Sequence, residues 1–439
     1  MLQGPSLALP PSLMAILVAF RPCFTKPTFV TFCALGGGFL AQTSRRTVCG
    51  MLTGAGLSRL WSHHRAHRLF SQARWAPDQV SAVLARLVVD LLVPAGVPVV
   101  VAVDDTLFKR TGPKVHAASW FHDGSATGRH QVGFGNNWVI AAVVVRLPFL
   151  ERPVALPVGF ALVRKGTDAA SRLALGRRLV EALVAAVAGR TVHVVADSAY
   201  AGRALRDLPA SITWTTRLRV NAALSALAPP RTGKRGRPRL KGERLTALKT
   251  LATTTTFAPT SVHRYGATMQ VQTAVIPCLW YGVFGPQQVQ VVLVRDGSTT
   301  GYDVALVSTD LTATAGQVVE RYAARWSIEV AIEDAKQTTG VGQARNRVRP
   351  AVQRTVPFGL VMSTVAICWY ATAGHHPQDV QDARTQAPWY RDKAQPSVSD
   401  MLTKIRRVII TAQFQRTDPQ PATPEEINIL RLAWADIAA

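Results

Sequence analysis

The sequence predicts an α/β protein: a mixed-sheet core, interrupted by a β-rich insertion and flanked by helical regions at both ends. Three observations carry that expectation. Two apolar runs, Val97 to Val103 and Val192 to Ala196, are rich in β-branched residues, the pattern of strands buried on both faces, and each runs into acidic residues. The stretch from Gly316 to Gly340 holds good helix formers, has no interior Pro or Gly and stops at a glycine. Between Trp214 and Asp310 the chain turns to a series of short β-type runs, more than a single small core requires.

Taken in order, residues 1–92 read as mostly helical, with Thr43, Ser44, Arg45 and Arg46 ahead of an apolar turn and a His- and Arg-rich stretch from Ser62 to Arg74. Their size and charge suit a DNA end-binding domain of the helix-turn-helix kind, or a basic helical adaptor that reads no sequence. His63 and His67 stand at i,i+4 as metal ligands can, but no Glu or Cys completes a site, so zinc is not expected there. The first strand begins near Val97, is broken early by Pro98 and is expected to end at Asp104, Asp105 and Thr106. A carboxylate at the end of a buried strand is costly unless it pairs or binds a cation. Two in succession point to opposite faces, so only one looks into a given site. After the basic turn Lys109 to Lys114, the runs Trp138 to Val145 and Val154 to Val163 complete an antiparallel meander of three. A helix follows from Asp168 to about Val187, with Arg172, Arg177 and Arg178 on its wet side, and then the strand Val192 to Ala196 ends at Asp197. Asp197 reads either as a site carboxylate or as the N-cap of the turn it precedes.

The insertion is expected to hold strands over Thr253 to Phe257, Met269 to Ile276, Leu279 to Phe284 and Gln288 to Val294. At its start, seven of the fourteen residues from Arg231 to Arg244 are basic. Within that run Arg235, Gly236, Arg237 and Pro238 resemble an AT-hook, whose arginines enter a narrow minor groove; the alternative is a flexible basic loop touching phosphates only. Both readings place Lys234, Arg235, Arg237 and Arg239 against DNA.

In the predicted helix, Tyr322, Glu329 and Lys336 recur every seven residues and Arg325 follows Tyr322 by three. All four share one face, because a heptad drifts only about 20° on a helix. Val318, Val319, Ala323, Ile328, Ala331 and Ile332 form the opposite, apolar stripe. Alone, this could be a solvated helix with an Arg325 to Glu329 pair worth a few tenths of a kcal/mol. The order Tyr, two residues, Arg, three residues, Glu, six residues, Lys is however the Y-R-E-K signature, and the stretch resembles the last catalytic segment of DDE insertion-sequence transposases of the cut-and-paste type. The upstream meander, helix and further strand, with acids on two strand ends, resemble that family's ribonuclease H-like core. Asp105 lies 92 positions before Asp197, and Asp197 lies 132 before Glu329, both within what this transposase type shows.

The resemblance implies residue roles. The family pattern of an acid followed by Asp-Thr picks Asp105 over Asp104, so Asp105, Asp197 and Glu329 are expected as catalytic carboxylates that hold two Mg²⁺ ions, with Mn²⁺ able to substitute. Tyr322, Arg325 and Lys336 are expected to hold DNA phosphates, joined by Arg345 and Arg347 from the basic run Gly342 to Arg354. Trp280 is a candidate for stacking on a flipped base, as a Trp of the family's insertion does. The implied function is a DNA transposase that binds the terminal inverted repeats of its element and target DNA, as a homodimer, and performs metal-dependent strand cleavage and strand transfer. Its expected place is the bacterial cytoplasm, at the nucleoid. The implied domains are a helical DNA-binding domain (1–92), the first part of the catalytic core (93–212), the β-rich insertion (213–310), the second part of the core (311–374) and a C-terminal helical region (375–439). In the last, 375–396 reads as a surface linker and Ser399 to Ala412 and Thr423 to Ala438 as helices, with dimer contacts a family-based guess.

Composition bounds the alternatives. The 439 residues suffice for two or three domains, and 50 Lys and Arg against 26 Asp and Glu leave a net charge of +24, which attracts a polyanion. Charge alone does not separate DNA from RNA or an anionic membrane. Five scattered cysteines without a C-x-x-C pair exclude a disulfide framework and fit a reducing cytosol. Leu2 to Phe20 is interrupted by prolines and lacks the basic start of a signal peptide. Thr355 to Gly374 is uncharged for twenty residues, enough to span a bilayer, but Pro357, Gly359, Ser363 and Thr364 interrupt it, and a helix buried behind the catalytic one is the simpler account; no membrane partner is expected. No Walker, H-E-x-x-H or G-x-S-x-G motif competes. The rival readings are a nuclease of the same fold that cuts without joining, and a non-catalytic DNA-binding regulator. Replacing Lys234, Arg235, Arg237 and Arg239 by Gln is expected to weaken DNA binding and to lower the slope of log affinity against log salt by about 0.9 for each phosphate no longer neutralised. Fluorescence anisotropy over a salt series measures both, and an unchanged slope removes this loop from the interface.

Overall fold

A computed structural model describes residues 9–124, 126, 131–167, 169–230, 239–414, 424, 425 and 428. Lys234, Arg235, Arg237 and most of the expected helix from Thr423 to Ala438 lie outside the described residues. Among those described, ten strands form: β1 (Val99–Lys109), β2 (Ser119–His122), β3 (Val132–Val145), β4 (Val154–Leu162), β5 (Val192–Ala196), β6 (Ile212–Arg217), β7 (Ala258–Arg264), β8 (Ala267–Leu279), β9 (Gln288–Arg295) and β10 (Val304–Ser308). The chain divides into two compact units, a sheet unit of Val88–Leu107 and Asn137–Ala331 and a helical unit of Met1–Leu87, Phe108–Asn136 and Ile332–Ala439.

In the sheet unit the strand order is β4-β3-β1-β5-β6-β10-β9-β8-β7. β1, β5 and β6 run parallel, whereas β3 with β4, and the succession from β6 through β10, β9, β8 and β7, run antiparallel. A central first strand with the meander on one side and two parallel strands on the other is the ribonuclease H-like order, and the β-rich insertion extends the same sheet. Continuous burial explains the continuous apolar sequence: Val99, Val101, Ala102, Val103 and all of β5 are buried, at roughly 2 kcal/mol for each valine removed from water. β1 does not end at its acids. It continues to Lys109 because β3 still flanks it where β5 stops.

Other departures have local causes. Thr253 to Phe257, expected as a strand, begins inside the helix Leu248–Thr254, where the Thr254 and Thr255 hydroxyls donate to the Leu251 carbonyl and so satisfy a helical end. Leu279 to Phe284 is mostly the short helix Tyr281–Phe284. The hairpin forms instead from β7 and β8 around Tyr265 and Gly266, both at positive φ. The long predicted helix is two, Ala315–Ala324 and Trp326–Gln337. At the joint the Ser327 hydroxyl donates to the Ala324 carbonyl and the Arg325 and Ile328 N–H groups bond three residues back, a tightening that interrupts the ladder. Thr314 and Gln317 close a capping box at its start, and Val318 and Val319 bury against Val262, Val271, Val292, Val294 and Leu306.

The helical unit is organised on Arg349–Trp369, whose composition would permit a membrane span. It is the unit's core helix, packed among the N-terminal helices rather than only behind a catalytic one. Phe358 takes edge contacts from Phe32, Phe39 and Phe70, and Arg354 donates to the carbonyls of Phe70 and Trp75. Arg354 is therefore structural, unlike the rest of its basic run. Residues 375–396 are not a plain linker, since they contain the helix Asp379–Gln386, and Asp379 accepts from Tyr370 and pairs with Lys404. The helices Lys26–Ala41 and Val48–Gly54 cross backbone to backbone: a Cβ on Gly38 would lie 1.8 Å from the Met51 carbonyl oxygen. Gly38→Ala is expected to destabilise the chain by about 3 kcal/mol through this overlap, read as a lowered urea midpoint. A wild-type midpoint would contradict the close crossing.

Candidate active site

Val103 and Ala196 are partners across the parallel β1–β5 pair, and each is followed by an acid, Asp104 and Asp197. Alternation along a strand gives partnered positions a common face, so Asp104 and Asp197 share one and Asp105 takes the other. Contacts identify these faces. Val103 looks toward the helix Arg172–Ala186, for its Cγ1 is 3.1 Å from where a Cβ on Gly176 would stand. Asp105 looks the same way, accepting hydrogen bonds from Asn137 Nδ2 (2.9 Å) and Tyr200 Oη (3.1 Å) and pairing with Arg172 at 3.3 Å. On the opposite face Asp104 pairs with Arg325 at 3.4 Å, and a second nitrogen of that guanidinium donates to Glu329 at 2.6 Å.

Arg325 is placed by the helix joint. Its guanidinium lies 5.7 Å from the Tyr322 ring centroid, it is about nine-tenths buried, and its Nε has no partner among the described residues. Tyr322 itself is half-buried against the apolar cluster beneath the helix. Tyr322, Arg325 and Glu329 thus keep the common face that their spacing predicts. Asp197 caps the turn Ser198–Tyr200 by accepting the Ala199 N–H at 2.8 Å, and it lies close enough to Asp104 for their charges to interact.

Burial pushes the Asp104 carboxyl up to about 7; the Asp105 N–H and Arg325 work against that, while the Asp197 and Asp105 charges add to it. Acids that repel one another on a shared face are stabilised by a bound cation. Among the described residues, Asp104, Asp197 and Glu329 are not a group whose donor atoms all lie within 4.8 Å of one another.

Of the remaining expected residues, Lys336, Arg345 and Arg347 fall in the helical unit. Lys336 is half-buried with its ammonium 5.5 Å from the Phe108 ring centroid, and burial lowers its pKa. Arg345 and Arg347 are exposed, and with Arg45, Lys109 and Arg110 they line a cavity of about 420 Å³. Arg110 is fixed there by the carbonyls of Gly342 and Ala344, and Lys109 pairs with Asp123 at 3.2 Å, while the exposed Arg45, Arg345 and Arg347 add their charge to the cavity. Arg239 is exposed. Trp280 is 9% exposed and packs edge-on against Phe284, so it does not stand free to stack on a base. Arg172, Asn137 and Tyr200 were not legible as partners of Asp105. Of these only Tyr200, three residues after Asp197, carried a positional hint.

The residues from 19 to 283, more than half the chain, match the family model described as DDE superfamily endonuclease. No curated protein matches the chain. Among solved structures it is similar to a piggyBac transposase synaptic complex with hairpin DNA, at 12% identity over 97% of this chain and 80% of that one, with a TM-score of 0.40.

An ion pair beside the site sets a pH dependence. Burial raises the Asp310 carboxyl, but hydrogen bonds from Arg321 and Thr312 and the Arg321 charge outweigh it and hold it at about 2. His193, on the same face of β5 as Asp197, is lowered to about 4 by burial and by Arg321, against the pull of Asp310. Both shifts are downward, so both groups stabilise the fold at neutral pH and lose that contribution on acidification. His193 loses it as pH falls from about 6.5 toward 4, and Asp310 from about 3.9 toward 2. Urea midpoints measured against pH should therefore fall less steeply between pH 6.5 and 4 in His193→Gln than in the unmutated chain. Parallel curves would contradict this account.

Proposed function

Because the chain belongs to the DDE superfamily of endonucleases, we propose that Asp104, Asp197 and Glu329 form its cation cage and that it acts as a DNA transposase on the ends of its own element. One observation carries the choice of residues: Asp104 and Asp197 occupy one face of the β1–β5 pair, and Arg325 bridges that face to Glu329. The Asp-Thr pattern favours Asp105, but Asp105 lies on the other face with three partners of its own.

Two divalent ions bound there would supply Lewis acidity, which turns a water or a DNA 3′-hydroxyl into a nucleophile and stabilises the leaving oxygen. The chain's own groups prepare the site. Arg325 holds the Asp104 and Glu329 carboxylates in place and offers its buried cation to a phosphate. Asp105 ties Tyr200, and with it the turn bearing Asp197, to β1, and so acts as a positioning residue. Arg45, Arg345 and Arg347 suit contact with the DNA backbone.

The test mixes the full chain, Mg²⁺ and DNA carrying the element's terminal repeats. Asp104→Asn and Glu329→Gln are expected to lower cleavage by about a thousandfold while DNA binding persists, and Asp105→Asn by about tenfold to a hundredfold. Abolition by Asp105→Asn with activity retained in Asp104→Asn would move the cage to the other face. Cleavage without joining would make the protein a nuclease, and binding without cleavage a regulator.

A further inference from the structure

The sequence pairs His63 with His67 but shows no third ligand beside them. Folding supplies one. Cys49, fourteen positions earlier, comes from the helix Val48–Gly54 to the start of the helix His63–Ser71, and one donor atom from each of Cys49, His63 and His67 lies within 4.8 Å of the others. Cys49 Sγ is 3.7 Å from His67 Nε2, and the two imidazole centroids are 4.4 Å apart. In a tetrahedral zinc site, Zn–S of about 2.3 Å and Zn–N of about 2.05 Å put sulfur and nitrogen roughly 3.6 Å apart. The separation here is therefore already that of two corners of such a site.

We propose that Cys49, His63 and His67 bind a zinc ion, with a water in the fourth position, distinct from any ions held by the acids of the sheet unit. The donor set selects the metal: a thiolate with two imidazoles suits a borderline-soft ion, whereas Mg²⁺ takes oxygen. Cys49 and His63 are exposed and His67 is half-buried, so an ion can enter from solvent and a water can complete its coordination. On binding, the Cys49 thiol gives its proton to solvent and the imidazoles coordinate in their neutral form. The other four cysteines are buried, so Cys49 is the thiol that solvent reaches. The ion would fasten two short helices joined by an eight-residue connection, Ala55 to Ser62, that contains the exposed Arg59. Held together, these helices form one rigid basic surface with Arg65 and Arg68.

Cobalt substitution tests this on the full chain. After removal of metal, Co²⁺ is expected to give the intense visible absorption of a tetrahedral site and a thiolate-to-cobalt charge-transfer band, saturating at one equivalent. Cys49→Ser and His67→Asn should abolish the charge-transfer band while far-ultraviolet circular dichroism stays unchanged, and Zn²⁺ should raise the thermal midpoint of the unmutated chain but not of Cys49→Ser. Glu329→Gln should leave the band intact, because carboxylate-held cobalt has no sulfur ligand; this separates failure of the zinc site from failure of the catalytic one. No charge-transfer band in the unmutated chain, or the same band in Cys49→Ser, overturns the proposal.

Discussion

The structure depends on the register of one parallel strand pair. With Val103 beside Ala196, the acids that follow stand next to each other on the same face, just where β5 ends. A slip of one residue would turn Asp104 to the face of the helix Arg172–Ala186 and bring Asp105 round to Asp197. The observed register buries Val99, Val101 and Val103 beside Val192, Val194 and Ala196. The relative placement of Asp104 and Asp197 thus follows from a pairing made by buried apolar residues.

Two adjacent aspartates on one strand have different surroundings. Asp105 is surrounded by donors, from Asn137, Tyr200 and Arg172, and serves as a knot between β1 and the turn after β5. Asp104 has one guanidinium, shared with Glu329, and the Asp105 N–H, and otherwise meets buried surface and other acids. A carboxylate left short of donors is the one that gains most from a cation.

Much of this was legible in the sequence, and the reasons for the remainder are physical. β5 and the meander were readable because strands buried on both faces are written in unbroken apolar runs. The sequence also showed that Asp104 and Asp105 face opposite ways; it did not show which face carries Glu329, since that depends on where the helix Trp326–Gln337 packs. The break at Arg325 was hidden because every residue there is compatible with a helix, and a single serine hydroxyl decides it. The third partner of His63 and His67 was missed because the link is made through space, where the helix Val48–Gly54 packs beside the helix His63–Ser71, and such packing has no signature in local spacing. Tyr265 at positive φ and the threonine-closed helix before β7 show the same limit: backbone hydrogen bonding overrode residue preference.

The insertion is continuous with the catalytic sheet, because β10 lies against β6 and carries β9, β8 and β7 outward. Cutting it out along the boundaries that composition suggests, 213–310, would take β6 as well and leave five buried residues of β5 as a raw margin, with bare amides beside Asp197. Such a margin recruits other chains. A shortened form for biophysical work would therefore need to keep β6 or supply a replacement strand there.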